Sequence, residues 1–379
     1  MKKQYIIPLF VTLLAACSSN EPLPTADDAA PEETTAVGFS ASIQGSSSSR
    51  AEDGEDYLHN SFIFTDERKS RIRVVNTVNY SVPDFKTEGA YKEYTYTGQT
   101  DKNGINFTPT KDGSGFDWNE IRPTAAAFVF EAACYPMTYT HFSEIETDQT
   151  TRDNFWKADL LLAHHAQPLS DRYDLVKLKF HHVFAMVRVT IDLPISPPQQ
   201  DGGFPENAIE CVQLIGMQTG YETEYSEAIP NDGARTVYAT GEKRDITMYP
   251  LLNEIKEGDG TTGTQRSIYC GIIPAQSISP DQEWVKFRIK TYTGEFNNNN
   301  LPVIKSKNYI FRPEASIPLT QGYITNLELT SNVDETEIIQ LKASVEEWDP
   351  WYTTMPMEPD GSNTTDTPTS PDTSNEPTE

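Results

Sequence analysis

The chain has 379 residues, with 56 acidic and 30 basic side chains and a formal net charge of −26 at neutral pH. Each contact to a nucleic-acid phosphate needs a lysine or arginine, so this charge argues against nucleic-acid binding and against adhesion to anionic lipid through a basic patch. The 18 Tyr, 17 Phe and 5 Trp can build folded cores. At about 150 residues per domain, the length predicts two domains.

The first seventeen residues have the layout of an export signal that ends in a cysteine. Lys2 and Lys3 precede a mostly apolar run from Tyr5 to Leu14, and two alanines then lead into Cys17. This run is too short to cross about 30 Å of hydrocarbon, which disfavours a transmembrane anchor. Leu14-Ala15-Ala16-Cys17 resembles a bacterial lipobox, so residues 1–16 are the predicted signal segment and Cys17 the predicted lipidation site. An ordinary signal peptide with an incidental cysteine is the alternative.

A polar tether, a short strand and a small-residue loop follow the cysteine. Residues 18–36 are rich in Ser, Pro, Asp and Glu without periodicity, which is typical of a flexible linker. The loop Gly45–Gly54 contains a single arginine, Arg50, and such loops are favoured sites of proteolysis. Between them, alternating apolar positions indicate a half-buried strand formed around Val37, Phe39, Ala41 and Ile43.

Many short runs with a period of two occupy the middle of the chain, separated by turn residues. The longest run is Leu175–Leu193, and Ile209–Ile215 is predicted to return against it as a hairpin. Helical signals are few and short, at Phe142–Thr147 and Asn253–Lys256. Together these patterns predict an all-β protein of two β-sandwich domains. Further predicted strands are Arg71–Val75, Tyr91–Thr97, Ala126–Ala133, Ile268–Ile273, Val285–Ile289, Tyr323–Thr330 and Ile339–Glu346.

The predicted domain boundaries follow from these runs. After the tether and first strand in residues 17–50, we expect an N-terminal β-sandwich domain in residues 51–170 and a C-terminal one in residues 171–350. The loop Pro194–Pro205 is the competing boundary. Residues 351–379 contain six acidic residues and no basic residue among Pro, Thr, Ser, Asn and Gly, which predicts a disordered tail.

Residue types that carry chemistry form no recognisable catalytic or metal-binding pattern in the sequence. The pairs His164-His165 and His181-His182 would point to opposite faces of a strand, and no third ligand lies at a recognisable spacing. A Gly-x-Ser-x-Gly elbow is absent. The sequence therefore predicts no enzyme, no cofactor and no metal. Cys134, Cys211 and Cys270 have two interpretations. They are small buried residues in strands, or two of them form a disulfide and the third is a free thiol.

Several local patterns follow one another along the chain: the lipobox, Ser49-Arg50-Ala51, Phe130–Pro136, Asp159–Ala163, Val176–Val189, Gly271–Gln276, Tyr323–Leu329 and a last strand that ends at Trp348. In this order they resemble the fimbrillin family of Bacteroidetes, the Mfa-like lipoproteins that are subunits of type V pili. The resemblance covers nearly the whole mature chain. The chain departs from the family pattern in two places, since it lacks a tryptophan-led segment between Glu52 and Phe64 and its tail after Trp351 is long.

The resemblance implies transthyretin-like sandwich domains and a specific route of assembly. A lipidated precursor at the cell outer membrane would be cut by a trypsin-like protease between Arg50 and Ala51, and the first strand would leave. A C-terminal strand of a neighbouring subunit would then fill the opened groove. Head-to-tail donation extends without closing, which gives a fibre that serves cell adhesion. The candidate donor strand comprises Ile339, Leu341, Ala343 and Val345, which have the required period of two, and ends at Trp348.

The sequence leaves open whether such a subunit belongs to the stalk, the tip or the anchor of a pilus. The implied partners are other pilus subunits, the maturation protease, the outer membrane through the lipid, and a receptor on a host or bacterial surface. A different function is a non-polymerising surface lipoprotein that binds glycans. In that case Trp284, Trp348 and Trp351 are candidate stacking aromatics. An extracellular hydrolase is a third alternative.

Overall fold

The computed structural model describes residues 35–43, 70–78, 83–97, 107–135, 143–224, 231–256, 263–331 and 338–347. The chain divides into two units, Met1–Thr35 and Ala36–Glu379, and the fold lies in the second. The predicted all-β class is confirmed, because α1 (Arg152–Lys157) is the single α-helix within these ranges. No helix in them has the length and apolar character that crossing a membrane would need.

The first seven strands form one sheet that closes into a barrel. They are β1 (Phe39–Ile43), β2 (Arg71–Thr77), β3 (Lys92–Tyr96), β4 (Phe107–Pro109), β5 (Ala127–Tyr135), β6 (Leu161–Pro168) and β7 (Val176–His182). Their order around the barrel is β1-β4-β3-β2-β5-β6-β7. Neighbouring strands are antiparallel, except that β1 runs parallel to β7.

A period-two pattern fills this barrel with apolar side chains. In β7, Val176, Leu178 and Phe180 are buried, whereas Lys177 between them is exposed. Because alternate residues of a strand point to opposite faces, such a strand supplies one side of a core and one side of a surface. The largest side chains in this core are Trp118, Tyr94, Phe39, Phe107, Phe130 and Phe180.

The remaining strands build a β-sandwich. They are β8 (Ala185–Pro194), β9 (Ile209–Thr223), β10 (Val237–Thr247), β11 (Tyr249–Lys256), β12 (Thr264–Ile273), β13 (Gln276–Ile278), β14 (Val285–Phe296), β15 (Pro302–Phe311), β16 (Ile317–Leu319), β17 (Tyr323–Ser331) and β18 (Ile338–Glu347). One sheet has the order β10-β9-β14-β15 and the other β11-β12-β8-β17-β18, while β13 and β16 form a small separate pair. Both sheets contribute to one core, which includes Val187, Val189, Val212, Leu214, Trp284, Phe287 and Leu327.

The long run predicted as one strand, Leu175–Leu193, is divided between the two parts of the fold. β7 ends at His182 and β8 begins at Ala185. Val183 and Phe184 are both buried, and two consecutive inward residues break the period of two. The chain passes from barrel to sandwich at these two residues. The predicted boundary at 170/171 lies instead between β6 and β7, which pair within the barrel.

Three local predictions are wrong. The hairpin of β8 with Ile209–Ile215 does not form, since β8 and β9 belong to different sheets and the Pro- and Gly-rich segment 195–208 joins them. Asn253–Lys256 is not helical but pairs with β12. The described part of Phe142–Thr147 is also not helical, because Ile145 donates a backbone hydrogen bond to Thr219 at 2.9 Å. Tertiary pairing overrides weak helical propensity in both segments.

Helix α1 was not predicted, although the sequence contains its start signal. The side chain of Thr151 accepts a hydrogen bond from the backbone N–H of Asn154 at 3.2 Å, which is an N-cap. Asp153 lies in the first turn, where a negative charge favours the helix dipole. Phe155 is the buried residue of this helix and stacks on Tyr249, with 5.2 Å between ring centroids.

Candidate functional site in the groove of the first strand

Strand β1 closes the barrel, because it lies between β4 and β7 and pairs with both. Its parallel register with β7 runs from Phe39 opposite Val176 to Ile43 opposite Phe180. On the other side Phe39 pairs with Phe107 of β4. The other six strands of the barrel are joined in one continuous order, so β1 is the link that turns this open sheet into a closed one.

Residues just before β1 are tied into the same groove. The N–H of Val37 donates to the carbonyl of Phe116 at 2.9 Å, and the N–H of Val176 donates to the carbonyl of Gly38 at 3.0 Å. Ala36 forms an isolated bridge with Asp117. Val37 is itself buried against the barrel core. The groove therefore holds this segment by main-chain bonds on both sides.

Phe39 is the apolar anchor of the first strand. Its side chain is fully buried, and its ring centroid lies 4.8 Å from that of Tyr94 and 5.5 Å from that of Phe130, both edge to face. Phe116 lies further away, at 6.4 Å. Edge-to-face aromatic pairs add about 0.5–1.5 kcal/mol each beyond their area burial. Phe39 is accordingly a fully buried aromatic contact between β1 and the barrel core.

A buried phenol helps to shape the pocket around Phe39. The hydroxyl of Tyr94 accepts a hydrogen bond from the backbone N–H of Phe116 at 2.7 Å. Burial raises the pKa of Tyr94, and this hydrogen bond partly opposes the rise. Tyr94 is therefore neutral at physiological pH, so the pocket for Phe39 contains no charge from this group.

The last described strand, β18, is an edge strand of the sandwich. It pairs antiparallel with β17, with Val345 opposite Thr325 and Ala343 opposite Leu327. β18 stands at the end of the order β11-β12-β8-β17-β18, so β17 is its neighbour in that sheet. A strand held by one ladder can leave a sheet without interrupting the pairing of any other strand.

The structure covers part of the set of residues predicted to be functional. Val37 and Phe39 are buried and Ala41 is partly buried in the barrel, and Ile43 ends β1. The four alternating positions of the candidate donor strand lie in β18: Ile339, Leu341, Ala343 and Val345. Outside the described residues are Cys17, Arg50, Ala51 and Trp348.

A buried ion pair lies where the barrel meets the sandwich, and sequence analysis did not predict it. Glu131 of β5 accepts hydrogen bonds from both Nε and Nη2 of Arg235. Nδ1 of His164 lies 3.1 Å from Oε1 of Glu131. The side chains of all three residues are buried. A glutamate inside the apolar run Ala126–Ala133 is a sequence signal for such a pair. Its partner lies 104 residues away, and no local pattern in the sequence identifies it.

The other histidines at this junction contact Asp232 or Asp159 instead of Glu131. Nε2 of His181 donates to the backbone carbonyl of Asp232 at 2.7 Å, and Nδ1 of His165 lies 2.8 Å from the carboxylate of that residue. Nδ1 of His182 lies 3.0 Å from Asp159. Burial lowers the pKa of His181, and the bond to Asp232 partly offsets this. In the described part of the chain, no three metal-ligating side chains converge on one point.

The tryptophans and cysteines occupy structural positions where they are described. Trp284, a candidate for sugar stacking, is fully buried in the sandwich core and cannot offer its face to a glycan. Trp348 and Trp351 lie outside the described residues. All three described cysteines are free thiols in strands, and burial raises the pKa of Cys270 to about 12. They are Cys134, Cys211 and Cys270.

Comparison with known proteins gives structural similarity alone. No protein-family model matches the chain, and no curated protein matches it. It is similar to a candidate cell adhesion protein from Bacteroides uniformis, with 16% identity and a TM-score of 0.47 over 83% of this chain and 99% of that one. It is also similar to a fimbrial protein from Bacteroides ovatus, with 12% identity and a TM-score of 0.36 over 79% of this chain and 51% of that one.

A third similar structure is the tip fimbrial protein Mfa3 from Porphyromonas gingivalis, with 10% identity and a TM-score of 0.30 over 74% of this chain and 93% of that one.

Proposed function

We propose that this chain is a structural subunit of a fimbrium that serves cell adhesion. In this proposal it is exported as a lipoprotein through Cys17, held at the outer membrane, and cut between Arg50 and Ala51 by a trypsin-like protease. Strand β1 is then exchanged for a C-terminal strand of another subunit. The observation that supports the proposal is that β1 closes the barrel and leads within seven residues to Arg50.

Loss of β1 would leave a groove that favours a replacement strand. β4 and β7 would become edges with unpaired N–H and C=O groups, which are a template for pairing with another chain. The aromatic pocket of Tyr94, Phe116 and Phe130 would lose Phe39 and face water. A strand from a second chain supplies both main-chain bonds and alternating side chains to such a groove.

Strand β18 is the donor in this proposal. It has ten residues against five in β1, so it is long enough to span the groove. Its apolar positions repeat with the same period of two as Phe39 and Ala41. Its release from β17 gives up one ladder at the edge of the sandwich. Donation from each subunit to the next is head to tail and therefore produces a fibre.

Limited trypsin digestion tests this function. The chain from Ser18 to Glu379, without the predicted signal segment and lipidated cysteine, would be digested and followed by mass spectrometry, sizing and gel electrophoresis in SDS. We expect cleavage after Arg50, release of the segment containing β1, and a ladder of SDS-resistant oligomers. The matched variant Arg50→Gln should give no ladder. A chain that is cut at Arg50 and stays monomeric contradicts polymerisation and favours a tip, an anchor or a glycan-binding lipoprotein.

A further inference from the structure

Exposed apolar side chains concentrate on one hairpin of the sandwich, formed by β14 and β15. Eight large hydrophobic side chains are exposed among the described residues, and half of them lie in this hairpin or in its turn. These four are Phe296 (40% exposed), Leu301 (58%), Ile304 (46%) and Ile310 (37%). Clustered exposure of this kind is unusual for a surface that faces only water and marks an interaction site.

The outer face of this hairpin combines cations with apolar side chains. Val285, Phe287 and Ile289 are buried in the sandwich core, so the residues that alternate with them in β14 face outward. Ile304 and Ile310 share this face, because each is paired with one of those outward residues. The outer face therefore consists of Lys286, Arg288, Lys290 and Tyr292 in β14 and of Ile304, Ser306, Asn308 and Ile310 in β15.

This outer face is positive, although the chain as a whole has a net charge of −26. Its three cations lie in one row of β14, and its β15 residues carry no charge. Arg288 lies 2.8 Å from Glu210 of β9, which offsets one of the three. Within the part of the chain that the structure describes, neither Lys286 nor Lys290 has a carboxylate within 4.0 Å. Two cations on this face can therefore bind an anionic group.

The C-terminal segment, residues 348–379, has the complementary composition. It contains seven acidic residues and no basic one. Its first ten residues include five large apolar or aromatic ones, namely Trp348, Trp351, Tyr352, Met355 and Met357. Aromatic and methionine side chains are enriched in the cores of interfaces, while charges decide which surfaces meet. The acidic residues are Asp349, Glu358, Asp360, Asp366, Asp372, Glu376 and Glu379.

We propose that the C-terminal segment binds the outer face of the β14–β15 hairpin of its own chain. Its carboxylates would pair with Lys286 and Lys290, and its aromatic residues would cover Ile304 and Ile310. A segment that is too polar to build a core of its own can still bind a preformed surface in this way. This binding depends neither on cleavage at Arg50 nor on the exchange of β1.

The geometry of the chain allows the segment to reach this face. Glu347, where β18 ends, is paired with Tyr323. Tyr323 follows Phe311, the end of β15, by twelve residues. At about 3.5 Å per residue these twelve residues span at most about 42 Å, and the strand pair adds about 5 Å. The 32 residues after Glu347 can extend to about 110 Å, which is more than twice that distance.

The covalent link to β18 makes even a weak contact sufficient. A segment joined to its target by a short linker meets it at an effective concentration in the millimolar range. If β18 is the donor strand, binding of the segment that follows it also restrains its release. That consequence rests on the proposed function, whereas the binding itself does not.

Zero-length crosslinking of the chain Ser18–Glu379 tests the contact directly. A water-soluble carbodiimide joins a carboxylate to an adjacent lysine amine as an amide, and mass spectrometry of the digested monomer identifies the pairs. We expect amides between acids of the C-terminal segment and Lys286 or Lys290. Lys305 and Lys307, which point to the opposite side of β15, should react much less. At about 1 M salt, where the Debye length is about 3 Å, the yield at Lys286 and Lys290 should fall about threefold or more.

A single charge reversal tests whether the cation row holds the segment. Arg288→Glu keeps both lysine amines but reverses the charge between them, so it should lower their crosslinks to the segment about threefold or more. Arg71→Glu on the barrel is the matched control, because Arg71 is also exposed and paired with a glutamate. It should leave the crosslinks unchanged.

Cys211 provides a second measurement that needs no crosslinker. It is paired with Arg288 across β9 and β14, so its thiol lies on the outer face, and the other two described cysteines are buried. A bound segment should shield this thiol from a maleimide. Neutralisation of the segment should therefore speed the reaction without changing the residues around the thiol. The variant for this test combines Asp349→Asn, Glu358→Gln and Asp360→Asn.

Several outcomes would overturn the proposal. They are crosslinks spread equally over all lysines, no crosslinks to Lys286 and Lys290, or a yield that Arg288→Glu leaves unchanged. Crosslinks between isotopically labelled and unlabelled chains in a mixture would assign the contact to a second copy. Binding of heparin or of phosphatidylglycerol vesicles to this face, without these crosslinks, would show that its occupant is a glycan or a lipid. A chain that forms the crosslinks, is cut at Arg50 and stays monomeric would contradict polymerisation alone.

Discussion

The barrel and the sandwich both bury aromatic cores, but they differ in what holds their sheets together. Closure of the barrel depends on β1, a five-residue strand with one large anchor, Phe39. In the sandwich, β8 pairs with β12 over ten consecutive residues, and β14 is paired on both sides. The exchange proposed for β1 needs this difference, a short closing strand next to an extensively paired sandwich.

The comparison is sharpest for two phenylalanines with similar burial. Phe287 lies between two paired neighbours in the middle of its sheet, whereas Phe39 belongs to a strand that can be removed without breaking the order of the other six. Truncation of Phe287 should therefore destabilise the whole sandwich, whereas truncation of Phe39 should mainly release one strand.

The largest loss is expected for Phe287→Ala, at about 3–5 kcal/mol of unfolding free energy, because a fully buried ring leaves a cavity. Urea denaturation followed by tryptophan fluorescence measures it. Arg288→Ala, one residue away on the exposed face, should cost less than about 1 kcal/mol. Equal losses for the two variants would show that the sandwich core is not the scaffold described here.

Glu131→Gln should cost about 3 kcal/mol, because it leaves the buried charge of Arg235 without its counterion. Asp192→Asn breaks the exposed pair with Arg266 and should cost less than about 1 kcal/mol. Both values follow from urea denaturation at neutral pH. If both variants lose the same small amount, the ion pair does not join barrel and sandwich in the way inferred from its burial.

Phe39→Ala should lower the free energy of holding β1 in its groove by about 2–3 kcal/mol, since the pocket can partly collapse around the smaller side chain. Hydrogen exchange of the β7 amides should become faster in this variant, while the amides of β8 and β12 keep their protection. Ser40→Ala, at a neighbouring position that does not point into the core, serves as the control. Equal acceleration in β8 and β12 would contradict separate stability of the two regions.

The smallest effect concerns the junction of the two regions. The folded-state pKa of His181 lies below its ordinary value, mainly because of burial, with Lys179, His182 and Asp232 as the charged or titratable neighbours. The unfolded chain therefore takes up this proton first, and stability falls as pH drops below about 6.5 toward the folded pKa. His181→Gln should flatten this part of the curve by less than about 1 kcal/mol in denaturation at pH 7.5 and 5.5. An unchanged slope would show that His181 is not the group responsible.

Sequence reading succeeds where a local pattern decides the structure. The alternation of Val37, Phe39 and Ala41 is enough to predict β1, and the alternation in β14 predicts its buried face. It fails where pairing over long distances decides. The closure of the barrel by parallel pairing of Phe39 with Val176 joins residues far apart in the chain. The partner of Glu131 could not be predicted for the same reason, since no local signal in the sequence marks Arg235.

A disulfide staple gives the most direct test of the replaceable first strand. Ser40 and Lys177 are paired across β1 and β7 and alternate with the inward residues, and a strand spacing of about 4.8 Å lies within disulfide range. The chain Ser18–Glu379 with Ser40→Cys and Lys177→Cys would be oxidised, cut with trypsin and sized with and without reductant, with each single cysteine variant as a control. We predict a cut chain that stays monomeric until reduction and then forms SDS-resistant oligomers. Oligomers that form from the cut chain while the staple is intact would contradict the exchange of β1.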